Sequence, residues 1–95
     1  MLKISFIIIA YNEERSIARC IDSILAQEDI GNNFEIIVVN DGSKDQTAQV
    51  VEEYVGKNSR VVLRSLVPNQ GRGAARAMGV KMAQGDYLAF VDADI

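Results

Sequence analysis

Four short apolar runs, each of strand length and each but the last followed by a polar loop and a helical repeat, most constrain this chain. The first, Ile4-Ser5-Phe6-Ile7-Ile8-Ile9-Ala10, is a nearly continuous β-branched and aromatic stretch. That is the pattern of a strand buried on both faces, as in a parallel sheet covered by helices. Phe34 to Val39, Val61 to Arg64 and Tyr87 to Val91 repeat it.

Between the first two runs Ile17, Cys20, Ile21, Ile24 and Leu25 recur every three or four residues. They predict an amphipathic helix of about four turns, closed by a loop over Asp29 to Asn33. Val50, Val51, Tyr54 and Val55 mark a second helix stopping at Gly56, and Ser43 with Gln46 fits a capping box at its start. Ala74, Ala75, Ala77, Met78 and Met82 give a third, Ala-rich helix able to pack close to the sheet, with Gly85 as its C′ residue. The order βαβαβαβ implies right-handed crossovers and one α/β domain, a Rossmann-like parallel sheet of order 3-2-1-4.

Ninety-five residues suffice for one small core, and 48% hydrophobic with 24% charged residues is ordinary for a soluble globular chain. A net charge of −3 supplies no basic field for nucleic acid or an anionic membrane. Histidine is absent, which excludes His-based triads and the commonest zinc ligand. The single cysteine, Cys20, allows no intrachain disulfide, and its helical phase with Ile17, Ile21 and Ile24 reads as core rather than nucleophile. No run is long enough to span a bilayer and no signal peptide precedes the first strand, so a cytoplasmic location is the expectation.

Every loop that follows a strand is polar: Tyr11-Asn12-Glu13, Asn40-Asp41-Gly42-Ser43, Asn69-Gln70-Gly71-Arg72-Gly73 and Asp92-Ala93-Asp94. In a parallel sheet all four fall at the carboxyl ends of the strands, where open α/β sheets bind ligands. Each feature also has a plain structural use. Acids suit a helix start, as at Glu13; Asp41 before Gly42 suits a turn; Arg76 suits a solvated helix face. Gathered on one edge, they suggest a cleft for a nucleotide sugar with a divalent ion. There Asp41 accepts from a base N–H, Glu13 or Asp92 from ribose hydroxyls, and Asp94 holds the ion. Arg72 and Arg76 face phosphate oxygens. Extended backbone after the fourth run would aim Asp92 and Asp94 to one side, a pair of hard donors suited to Mg²⁺ or Mn²⁺.

Four landmarks in this order resemble the N-terminal, nucleotide-binding half of family 2 glycosyltransferases with the GT-A fold. They are Ala10-Tyr11-Asn12-Glu13-Glu14, Val39-Asn40-Asp41-Gly42-Ser43-Lys44-Asp45-Gln46-Thr47, Asn69-Gln70-Gly71-Arg72-Gly73-Ala74-Ala75-Arg76 and Phe90-Val91-Asp92-Ala93-Asp94. The resemblance covers nearly the whole chain. It implies sugar transfer from a UDP- or GDP-linked donor, dependent on Mg²⁺ or Mn²⁺ and usually inverting. It places Tyr11, Glu13 and Asp41 around the nucleoside, with Ile9, Val39, Arg76 and Ala93 completing the donor site. Asp92 lies near ribose or diphosphate, and Asp94 is the metal ligand. Ile9 stands where many relatives have Pro, Asn40 replaces the first of two acids, and Ala77 stands where Asn is frequent. Gly71-x-Gly73 with Asp-Ala-Asp leans towards the polyprenyl-phosphate branch, hence a lipid-phosphate or polysaccharide acceptor and peripheral membrane association of a full-length protein.

The family takes its general base and acceptor pocket from the half after Asp-x-Asp, so these 95 residues are expected to bind donor without transferring sugar. The fourth strand would leave a sheet edge open to self-association. Two alternatives stand beside this reading. A nucleotidyltransferase would carry a Gly-rich phosphate loop after its first strand, where Tyr11-Asn12-Glu13 stands. A non-catalytic nucleotide-binding or assembly module would leave the acidic constellation idle.

Overall fold

The computed structural model describes residues 2–27, 31 and 33–94. Its elements are β1 (Ile4–Ala10), α1 (Ile17–Leu25), β2 (Phe34–Asp41), α2 (Thr47–Lys57), β3 (Val61–Leu66), α3 (Arg72–Met82) and β4 (Tyr87–Asp92). All four strands are parallel, in the order β3-β2-β1-β4. The α/β class and strand order therefore match the reading of the sequence.

Parity along β1 and β2 splits the core between two layers. Phe6, Ile8 and Ala10 join Ile36 and Val38 beneath α1 and α2, packed on Ile17, Cys20, Ile21, Ile24 and Val51. Ile37 and Val39 turn to the opposite face, where Ala75, Met78 and Met82 of α3 cover them. Ile7, Ile8, Ile36, Ile37, Val38 and Val39 are fully buried. At about 1.5–3 kcal/mol for each such side chain, the two central strands carry much of the stability. The small residues of α3 have a visible purpose: a Cβ on Gly79 would come within 2.5 Å of Ile7 Cγ2.

Tertiary contacts override several local signals. α1 has nine residues, about two and a half turns rather than four. The loop expected over Asp29 to Asn33 lies mostly outside the described residues. The Ser43–Gln46 capping box does not form: Ser43 Oγ accepts the Asn12 N–H at 2.9 Å instead. α2 continues through Gly56 to Lys57. Gly85 is not the C′ residue of α3, which ends at Met82 with Ala83 extended. Gly85 sits where a Cβ would lie 2.6 Å from Ser5 Oγ, and its N–H donates to that hydroxyl. Ser5 in turn donates to Glu35, whose Oε2 also accepts the Gln84 N–H. This latch at the amino ends of the strands fixes the entry into β4.

Among the described residues β4 pairs only with β1, on one of its two edges. Tyr87, Leu88 and Phe90 are exposed, whereas Ala89 and Val91 pack on the core. Among the described residues no helix is long and apolar enough to cross a membrane.

Candidate nucleotide-sugar site

A cleft of about 390 Å³ opens at the carboxyl edge of the sheet. Ile9 closes it from the end of β1, Tyr11 and Glu13 line it from the first loop, and Asp41 from the end of β2. Asn69, Gly71 and Arg72 come from the third loop and the start of α3, and Ala93 and Asp94 from the fourth. All four strand-end loops thus contribute to one concavity, as expected where α/β sheets bind ligands.

Asp41 is 4% exposed. Its Oδ1 accepts the Gln70 N–H at 2.7 Å and its Oδ2 the Gly71 N–H at 3.0 Å. One carboxylate therefore ties the third loop to the end of β2, just ahead of α3. The first loop is tied to the second in a similar way. Consecutive N–H groups of Asn12, Glu13 and Glu14 donate to Ser43 Oγ, Thr47 Oγ1 and Asp45 Oδ2. Asn12 Oδ1 returns an acceptor to the Lys44 N–H at 2.8 Å, with Asn12 itself at a positive φ of 55°. Asn40, buried below, accepts from the Ser43 N–H and donates to Ser65.

Burial opposes ionisation of Asp45, but hydrogen bonds from the Thr47 hydroxyl and N–H and from the Glu14 N–H prevail and hold its carboxyl below the ordinary aspartate range. A carboxyl with a depressed folded-state pKa stabilises the fold above its unfolded value and loses that contribution as pH falls through the folded one. The tie between the first two loops should hold at neutral pH and weaken below about pH 4. Amide exchange at Glu14 would check this, by becoming faster relative to core amides on acidification.

Three expected site residues do not line this cleft itself. Val39 is fully buried beneath the cleft, paired in register with Ile9. Arg76 is one helical turn beyond Arg72, and its guanidinium carbon stacks 4.1 Å from the centre of the Phe90 ring. Asp92 shares a small depression with Arg72, Arg76 and Phe90 on the α3 side of the sheet. β4 ends at Asp92 and the chain turns at Ala93 and Asp94, so strand alternation no longer aims Asp94 beside Asp92. Arg72, expected to face phosphate oxygens, does line the cleft, together with Asn69 and Gly71, which had no assigned role. Their signal was present in the polar loop after the third run, but not the point at which α3 begins.

Cys20 is buried, with Sγ 3.6 Å from the Asp92 carbonyl oxygen. Burial, and then the Asp92 charge, push its thiol up, so it remains protonated at neutral pH and acts as packing.

A parallel sheet of this order with a cleft formed by its strand-end loops defines an α/β domain of the kind that binds ligands at its carboxyl edge. The family model for Glycosyl transferase family 2 matches residues 5–95, and the chain belongs to that family. It is 42% identical to dolichyl-phosphate beta-glucosyltransferase ALG5D of Trichomonas vaginalis, over 96% of this chain and 30% of that protein. The crystal structure of Staphylococcus aureus TarS in complex with UDP-GlcNAc superposes with a TM-score of 0.88 at 37% identity, covering 98% of this chain and 27% of that one. The mannosyltransferase PcManGT of Pyrobaculum calidifontis, in complex with GDP-Man and Mn²⁺, has a TM-score of 0.89 at 24% identity. It covers 98% of this chain and 28% of its own, and at that identity it shows the fold alone. The chain thus spans under a third of the length of each of these relatives.

Proposed function

We propose that the strand-end cleft binds the nucleoside-diphosphate part of a sugar donor, and that this is the share of a glycosyl transfer these residues carry. The observation that supports it most is the meeting of Tyr11, Glu13, Asp41 and Asp94, each from a different strand end or loop except the first two, around one volume. Tyr11 is 45% exposed and offers a ring face for a base. Glu13 offers acceptors to ribose hydroxyls, and Arg72 offers a guanidinium to phosphate oxygens. TarS with bound UDP-GlcNAc makes a uridine nucleotide the first ligand to try.

Among the described residues no group of three acids or thiols stands ready to enclose a metal ion. Mg²⁺ commonly binds through one or two carboxylates completed by substrate phosphates and water, and Asp94 at the cleft fits that donor set. The ion would supply Lewis-acid stabilisation of charge on the leaving diphosphate. In the inverting reaction the bond from the anomeric carbon to the diphosphate oxygen breaks as the acceptor oxygen attacks from the opposite face. The acceptor proton passes to a general base. The Trichomonas relative is named for dolichyl phosphate and TarS for poly(ribitol-phosphate), so a phosphate-bearing lipid or polymer is the acceptor class to test.

Calorimetric titration with UDP and with GDP, each with and without Mn²⁺, tests the reading. The expected result is binding of one nucleotide, strengthened by Mn²⁺, with that strengthening lost in Asp94→Ala. Equal metal dependence in the variant would remove Asp94 as the ligand, and no binding of either nucleotide to the folded chain would remove the proposal.

A further inference from the structure

We infer that Thr47 is a positioning residue for the cleft, holding Glu13 in place through its backbone rather than touching a ligand itself. This rests on the reading of the cleft as a nucleotide-sugar site. Thr47 opens α2 and is fully buried, so its side chain has no role at the surface. Its Oγ1 accepts the Glu13 N–H at 2.9 Å and donates its own proton to Asp45 Oδ1. The same Oδ1 accepts the Thr47 N–H at 2.9 Å, while Asp45 Oδ2 accepts the Glu14 N–H. The hydroxyl proton is thereby committed to the carboxylate, which leaves the oxygen lone pair directed at Glu13.

Glu13 is held at both ends of its backbone. Its N–H is fixed by Thr47, and its carbonyl accepts the N–H groups of Ser16 and Ile17 as α1 begins, at 3.1 and 2.9 Å. The Glu13 side chain therefore enters the cleft from a clamped peptide, and only its own torsions remain free. Pre-set placement of this kind matters because small displacements of a binding group carry large penalties. Asp41 performs the corresponding task for the third loop through Gln70 and Gly71. The segment from Asp41 to Thr47 thus orders two of the other three walls.

Substitutions separate this role from general stability. Thr47→Val keeps the volume and removes the hydroxyl, leaving the part-buried Glu13 N–H without an acceptor. Thr47→Ser keeps the hydroxyl. In Thr47→Val, amide exchange at Glu13 is expected to rise on the order of tenfold, with Gly71, held by the separate Asp41 clamp, unchanged. Affinity for UDP or GDP with Mn²⁺ should fall on a similar scale, roughly tenfold, and Thr47→Ser should restore both. Unchanged Glu13 exchange in Thr47→Val, or equal acceleration at Gly71, would overturn the inference. So would unaltered nucleotide affinity beside loosened Glu13. Should Thr47→Val not fold, Thr47→Ala removes the same acceptor from the Glu13 N–H and is held to the same Glu13-against-Gly71 comparison. A wild-type chain that binds neither nucleotide would sink the donor-site reading and, with it, the link to binding, while amide exchange would still settle whether Thr47 clamps Glu13.

Discussion

Gly42→Ala is expected to lower stability by about 3 kcal/mol, from two separate causes. Gly42 has φ of +69°, a left-handed conformation that costs an L side chain about 1 kcal/mol. The new Cβ would also meet backbone, 2.5 Å from Asn69 N and 2.8 Å from its Cα. A flexible side chain could swing away from such a contact, but a peptide in a loop tied down by Asp41 cannot do so cheaply. Overpacking of this kind adds about 1–3 kcal/mol. For a domain of this size the melting temperature should fall by roughly 15 °C. Gly31 provides the matched comparison, with φ of +66° and nothing within 4 Å of a Cβ. Gly31→Ala should show the conformational cost alone, about 1 kcal/mol. Similar melting temperatures for the two variants would mean that the close approach of the second and third loops is not as described.

Asp41→Ala should cost about 3 kcal/mol and loosen the third loop together with the cleft. Hydrogen bonds to charged groups contribute about 1.5–3 kcal/mol each, and this carboxylate receives two from backbone N–H groups while 4% exposed. The gross figure is reduced because keeping a carboxylate buried has its own cost. Asp41→Asn retains one acceptor oxygen and turns an NH₂ group towards the other N–H, so its loss should be intermediate. Urea unfolding of the three chains checks the order. If alanine and wild type agree to within about 0.5 kcal/mol, the carboxylate is not a clamp. Asp41 then has two tasks in this account, and the structural one precedes the other: it orders the wall against which a base would lie.

The fold was legible because its strongest signals are local. Runs such as Ile4 to Ala10 and Phe34 to Val39 are apolar at every or nearly every position, and only a sheet covered on both faces buries them all. The strand-end loops could be placed on one edge from topology alone. What the sequence hid depends on partners far along the chain. Ser43 looks like a helix cap until the Asn12 N–H, 31 residues away, is seen to take its hydroxyl. Gly85 looks like a helix stop until Ser5, 80 residues away, is found against its backbone. The sequence favours Arg76 over Arg72 for the donor site, but α3 begins at Arg72 and four residues carry Arg76 about 6 Å further along the helix axis. The alternation expected to aim Asp92 and Asp94 to one side stops because β4 ends at Asp92. Thr47 had no visible signal beyond its place in the second landmark: buried hydroxyls that act on a neighbouring loop's backbone leave no periodic trace.

Amide chemical-shift mapping with the nucleotide that titrates, in the presence of Mg²⁺, shows whether the four strand-end loops form one nucleotide-sugar site. Shifts are expected to concentrate at Tyr11, Glu13, Asn69, Gly71 and Ala93, with Ala18, Val50 and Tyr54 in the groove between α1 and α2 unmoved. Shifts centred on that groove, or none at the strand-end loops of a folded chain, would contradict it.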